Sequence, residues 1–123
     1  MTDDKYQQAD RYARSRMESI AEAVALYRDD IEDETVHDIG LDVEVLGNKH
    51  RDKYRIVVLL GTGGPHDELR YTVSDGDVDT VEYWYADWFY GTYVPLRTDE
   101  IDTARDFIAA VLDLSYLEAY LDR

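Results

Sequence analysis

The 123-residue chain has no cysteine, only two prolines and only three lysines. The missing cysteine removes disulfides, thiolate nucleophiles and cysteine-ligated zinc together, and it fits a reducing cytoplasm. No apolar run approaches the roughly 18 residues that a membrane-spanning helix needs. The opening Met-Thr-Asp-Asp-Lys is polar and acidic, unlike a secretory signal. A cytoplasmic protein without membrane contact is therefore expected. Serine occurs only at Ser15, Ser19, Ser74 and Ser115, never within the Gly-x-Ser-x-Gly of a nucleophile elbow. His37, His50 and His66 stand in separate turns or strand ends, with no His-Glu-x-x-His spacing. Gly61-Thr62-Gly63-Gly64-Pro65 lacks a following Lys-Ser/Thr and precedes a strand, so it reads as a turn needing positive φ at a glycine and not as a phosphate loop. These gaps predict a protein that is not an enzyme and uses no cofactor or metal.

What the chain does have is negative charge. There are 28 acidic residues against 13 basic ones, for a net charge of −15. Aspartate outnumbers glutamate 19 to 9, and arginine outnumbers lysine 10 to 3. The excess lies in residues 1–34, 65–87 and 98–123. Residues 35–64 are neutral, because Lys49, Arg51, Lys53 and Arg55 offset the acids there. Such a surface repels nucleic acid and anionic lipid and attracts basic proteins. Two origins compete. The composition resembles that of proteins from salt-loving archaea, where acidity maintains solubility. It also suits a surface that imitates the phosphate array of DNA.

Hydrophobic spacing places the elements. Ala13, Met17, Ile20, Val24 and Tyr27, with Tyr6 before and Ile31 after, recur in steps of three, four and seven, predicting a helix over 3–29. The acid-rich run 29–38 reads as a solvated helix end and linker, since it lacks the central glycine and distal glutamate of a calcium loop. Ile39, Leu41, Val43 and Val45 alternate with polar residues as a half-buried strand. Tyr54–Leu60 is apolar on both faces, as in a central strand. His66–Val73 and Val78–Ala86 alternate around a Ser74-Asp75-Gly76-Asp77 turn. Tyr93–Leu96 predicts at most a short edge segment, because Pro95 cannot sit in a central strand. Thr98 caps a last helix, with Asp99, Glu100 and Asp102 in its first turn and an apolar stripe running on to Leu114, Leu117 and Leu121.

The expectation is one α+β domain over 1–123: an N-terminal helix, a four-stranded antiparallel sheet and a C-terminal helix. Both helices should cover one face, built on Leu41/Val43, Val57/Leu59, Leu69/Tyr71 and Val81/Tyr83. The other face would show Asp42, Glu44, Glu68 and Glu82 with Trp84. The aromatic run from Tyr83 to Tyr90 is interleaved with acids, not bases, which argues against direct nucleic-acid binding. Its outward members suit protein contact. The candidate partner-binding residues are Asp42, Glu44, Glu68, Glu82, Trp84, Asp87 and Trp88.

Gly63-Gly64-Pro65, Asp87-Trp88, Thr92 and the helix from Thr98 carry a resemblance. In this order they resemble a group of small acidic proteins encoded on phages, plasmids and integrative elements. In that group Pro follows the Asp-Trp closely, whereas here Phe89–Pro95 is longer. The resemblance implies a mobile-element or viral context, in which small acidic proteins act as anti-restriction or anti-CRISPR inhibitors. The expected function is a non-catalytic DNA mimic that engages a basic host protein, such as a defence nuclease complex; a homodimer is compatible with this. The alternative is an accessory domain whose acidity is salt adaptation. A third is a metal-dependent hydrolase using Asp75, Asp77, Asp79 and Asp87.

Overall fold

The computed structural model describes residues 2–47 and 53–112. The elements run α1 (Thr2–Asp29), α2 (Thr35–Ile39), β1 (Asp42–Gly47), β2 (Lys53–Gly61), β3 (His66–Ser74), β4 (Asp77–Asp87), β5 (Tyr90–Val94) and α3 (Thr98–Val111). The strands form one antiparallel meander in the order β1-β2-β3-β4-β5. The α+β class, the N-terminal helix, the antiparallel sheet and the C-terminal helix agree with the sequence expectation. The basic turn around Lys49, His50 and Arg51, and the stripe beyond Leu112, lie outside the described residues.

The sheet has five strands where four were expected. The Asp87-Trp88 corner does not lead out of the sheet. It opens a two-residue turn, Trp88-Phe89, with Trp88 at φ 55°, and β5 returns along β4 from Tyr90. Pro95 then ends β5, as the missing N–H requires. The β3–β4 turn behaves as its residues predict: Asp75 and Gly76 both take positive φ, which two-residue hairpins of this twist require. In the glycine-rich turn, Gly63 takes φ 102° and the Gly64–Pro65 peptide is cis.

One sheet face is buried. It carries Tyr54, Ile56, Val58 and Leu60 of β2, Leu69, Tyr71 and Val73 of β3, Tyr83 and Tyr85 of β4, and Val94 of β5. This corrects the expectation for β2, which placed Val57 and Leu59 inside. A strand apolar on both faces gives alternation no sign. The register supplies it: Ile56 lies opposite Tyr71 and Val58 opposite Leu69, whereas Val57 lies opposite Arg70. Leu41 and Val43 were also expected inside, yet they are 58% and 38% exposed, because β1 is an edge strand.

From α1 the core receives Ala9, Ala13, Met17, Ile20, Ala23 and Val24. Tyr6 and Ile31, at the ends of the expected stripe, are 40% and 73% exposed. Ala104, Phe107 and Ile108 come from α3, which packs on α1. The short α2 falls where a linker was expected. Val36 anchors it with no exposure, and the His37 ring meets Tyr27 edge-on. The last helix starts one residue away from its expected cap: Arg97 is the cap, and Glu100 reaches back to accept its backbone N–H at 2.7 Å.

Polar groups inside the core tie the layers together. Asp67, with no exposure, accepts from Arg16 Nε at 2.8 Å, from Arg16 Nη2 at 3.1 Å and from Tyr83 Oη at 2.8 Å. Gly61 makes room for this pair, since a Cβ there would stand 2.6 Å from Asp67 Oδ1. Tyr71 Oη donates to the Ala104 carbonyl at 2.7 Å, joining β3 to α3. Arg14 joins α1 to the start of α3 through Glu100 and the Pro95 carbonyl.

Removing one partner of a buried ion pair strands the other. Arg16→Met leaves the Asp67 carboxylate with Tyr83 as its donor among the described residues, and is expected to cost about 3–5 kcal/mol. The Arg16→Met/Asp67→Asn double variant should lose clearly less than the two single losses combined. Urea unfolding of the four proteins checks this, and strict additivity would contradict it.

Burial pushes the hydroxyls of Tyr71 and Tyr83 far above the usual tyrosine value, and for Tyr83 the Asp67 carboxylate adds to the effect. Both groups are neutral in the fold. A raised folded-state pKa stabilises fully below the unfolded value of about 10 and loses that contribution as pH rises above it. In an alkaline titration, the last tyrosinate absorbance should therefore appear together with loss of circular dichroism. Complete tyrosinate formation in a folded protein would refute this.

Candidate functional site: the second sheet face

The register brings five of the seven sequence-predicted residues to the face opposite the buried one. Asp42, Leu59, Glu68, Trp84 and Tyr93 form one row across all five strands. Glu44, Val57, Arg70 and Glu82 form the next row. Strand alternation makes this inevitable once pairing is fixed, because residues directly opposite share a face.

The two ends of these rows differ. Towards β4 and β5, Arg70 is held at the centre of an aromatic cluster. Its guanidinium lies 4.9 Å from the Trp84 ring and 5.3 Å from the Tyr93 ring, and it donates to Tyr93 Oη. The two rings meet edge-on with centroids 4.8 Å apart. Arg70 Nε also donates to Glu68 Oε1 at 2.7 Å, and His66 Nε2 stands 3.3 Å from Glu68 Oε2. Glu68 is thereby 8% exposed and engaged on both oxygens. It orients Arg70 and is not a free surface charge. At the β1 end, Asp42 and Glu44 are exposed. Asp42 Oδ1 accepts from the Val43 N–H at 2.9 Å, and no ion pair engages either carboxylate among the described residues.

Asp87 and Trp88 do not join this face. Asp87 has the parity of the buried Tyr83 and Tyr85, and Trp88 stands at the hairpin tip. Trp88 and Phe89 are 90% and 103% exposed. Asp75, Asp77 and Asp79 lie at the β3–β4 turn, while Asp87 closes the far end of β4, so these four carboxylates do not converge. Among the described residues no cluster of three or more His, Asp or Glu could hold a metal ion.

Sequence reasoning missed Asp67 and Arg70. Asp67 looks like one more acid in an acidic stretch, and only the fold reveals its burial. Arg70 had a signal: it is the one Lys or Arg between residues 56 and 96, and it alternates with Glu68 on a strand. No described helix is long and apolar enough to cross a membrane.

Gly91 sets the position of Trp84. A Cβ on Gly91 would come 2.5 Å from Trp84 Cζ2 and 2.9 Å from Cη2. Gly91→Ala is therefore expected to push the indole off Tyr93 and Arg70 and to cost about 1–3 kcal/mol as an overpacking change. In a Trp88→Phe background, where Trp84 is the single tryptophan, its emission should move to the red. Unchanged emission and stability would mean that the ring has room the structure does not give it.

No family model, curated protein or solved structure matches this chain.

Proposed function

We propose that this protein is a non-catalytic binding domain that uses the second face of its sheet to engage a basic protein that handles nucleic acid. The reading begins with the helices. Tyr12 of α1 meets Tyr85, Arg16 of α1 meets Asp67, and Tyr71 meets Ala104 of α3. All three sheet residues point the same way, so we place both helices on one face and leave the other available. The observation that carries the reading is the row structure of that second face. Asp42 and Glu44, which no ion pair engages among the described residues, flank apolar Val57 and Leu59, and beyond them lies an ordered Trp84–Arg70–Tyr93 cluster. Aromatic and arginine anchors inside a charged rim are what protein interfaces select. In a mobile-element setting the concrete partner is a restriction or CRISPR nuclease, whose DNA groove supplies the basic surface.

A separate observation favours salt adaptation as a second reading. Exposed carboxylates are spread over α1 (Glu18, Glu22, Asp29), the approach to α2 (Asp30, Glu32, Glu34), the β3–β4 turn (Asp75, Asp77, Asp79) and α3 (Asp99, Asp102). A spread of this kind serves solubility in strong salt without needing a partner.

One experiment separates the two. Restriction and CRISPR nucleases are assayed for DNA binding with the protein added, and melting is followed from low to multimolar KCl. On the inhibitor reading, one nuclease class loses DNA binding, and Asp42→Asn/Glu44→Gln/Glu82→Gln restores it without changing the melting temperature. Inhibition that survives the triple substitution would remove this face from the mechanism. No inhibition, with melting that collapses at low salt, would leave the acidity as adaptation.

A further inference from the structure

Among the described residues, strand β1 is an uncovered edge of the sheet. Its ladder partner is β2, and it ends the strand order. Of its six residues only Val45 is less than exposed. Even so, apolar side chains line it: Val43 and Leu46 are 38% and 47% exposed, and Leu41 just before it is 58% exposed. The opposite edge is different. There α1 packs against β5, and Val94 is buried. An open edge offers backbone N–H and C=O groups to any extended chain that matches its side chains.

We propose that β1 accepts an extended strand from the partner protein. That strand carries Lys or Arg opposite Asp42 and Glu44, and apolar residues opposite Val43 and Val45. The inference rests on the reading that this face meets a basic protein, and it specifies the form the partner takes there. Asp42 and Glu44 share a face with Leu46, while Val43 and Val45 point to the other, so a strand alternating base and apolar residue complements both sides at once. Opposite charges directly across a strand pair attract, and like charges repel. Arg55 lies opposite Leu46, which confines the favourable positions for a base to those facing Asp42 and Glu44.

The same two carboxylates argue against a second copy as the occupant. Two β1 strands related by a twofold axis through the sheet can pair about Val43, Glu44 or Val45. Centring on Val43 sets Asp42 against Glu44 twice, and centring on Glu44 sets the two glutamates against each other. Centring on Val45 avoids a clash of charges but leaves Asp42 beyond the partner strand, which ends at Gly47. Acids at alternate edge positions thus disfavour the registers centred on Val43 and Glu44, and they leave a site whose charges a basic strand complements.

The test uses the full chain with synthetic peptides of about eight residues, the length of an ordinary strand. One alternates Lys and Val, a second has the same composition with its lysines contiguous, and a third alternates Glu and Val. Binding is read by fluorescence anisotropy, and the contacted backbone by hydrogen exchange. The alternating basic peptide should bind and slow exchange of the β1 amides. Asp42→Lys/Glu44→Lys should weaken it about tenfold or more and transfer preference to the Glu/Val peptide. Equal binding of the contiguous-lysine peptide without β1 protection would overturn the strand inference while leaving a basic partner in place. So would nuclease inhibition that depends on Asp42 and Glu44 but leaves β1 amides unprotected. A dimer with β1 protected in the absence of peptide would assign the edge to a second copy and overturn the proposal. Protection by the alternating peptide, in a protein that inhibits no nuclease, would keep the strand site and discard the inhibitor reading.

Discussion

The buried contact between Arg16 and Asp67 is the constraint on which the rest of this structure depends. Among the described residues it is the one place where a hydrogen-bonded ion pair, in addition to apolar contact, fixes α1 to the middle of the sheet. A carboxylate with no exposure is costly unless its lone pairs are taken. Here two guanidinium donors and the Tyr83 hydroxyl take them. That requirement fixes the azimuth of α1, because Arg16 must point inward beside Met17 and Ala13. It also fixes Gly61, which leaves space for the pair, and the inward parity of β3. Once Asp67 points in, Glu68 and Arg70 must point out. The composition of the second face is a consequence of a charge held on the first.

Much of the fold was legible because its signals were local. The α1 stripe, the Asp-Gly turn and the alternation of β3 each follow from a few neighbouring residues. The failures have a common cause in pairing, which is not local. Tyr54–Leu60 offered apolar residues on both faces, so only its register with β3 could decide that Val57 and Leu59 lie outside. Trp88 at positive φ is a conformation that bulky residues avoid, and nothing in Asp-Trp-Phe-Tyr announced a tight hairpin. The α2 helix is too short for a periodic pattern and exists because Val36 finds a place in the core. For the candidate site, the alternation of Asp42, Glu44, Glu68, Glu82 and Trp84 was readable strand by strand. That Glu68 is spent on Arg70, and that Asp87 and Trp88 fall elsewhere, was not.

The two populations of carboxylate respond to different physics. Those on α1, the β3–β4 turn and α3 face water, where interactions fade over about 8 Å at physiological ionic strength and about 3 Å in molar salt. Glu18 and Glu22, one turn apart on α1, repel mildly in dilute buffer and hardly at all in strong salt. Asp67 sits in a low-dielectric interior that added salt does not reach. Salt therefore relieves the surface without loosening the centre.

Asp42 and Glu44 belong to neither population. They are exposed, but they stand on an edge where the next element of a sheet would be added, so their effect is positional as well as electrostatic. A carboxylate on a helix surface discourages association in general. Two at alternate positions of an edge strand discourage the particular registers that set like charges opposite each other, and favour a strand that carries bases there. The acidity of this protein is for the most part unspecific, and on β1 it becomes a pattern. The difference comes from the backbone: the same residue type on α1 points in several directions, whereas on β1 two residues apart means the same face and about 7 Å of separation.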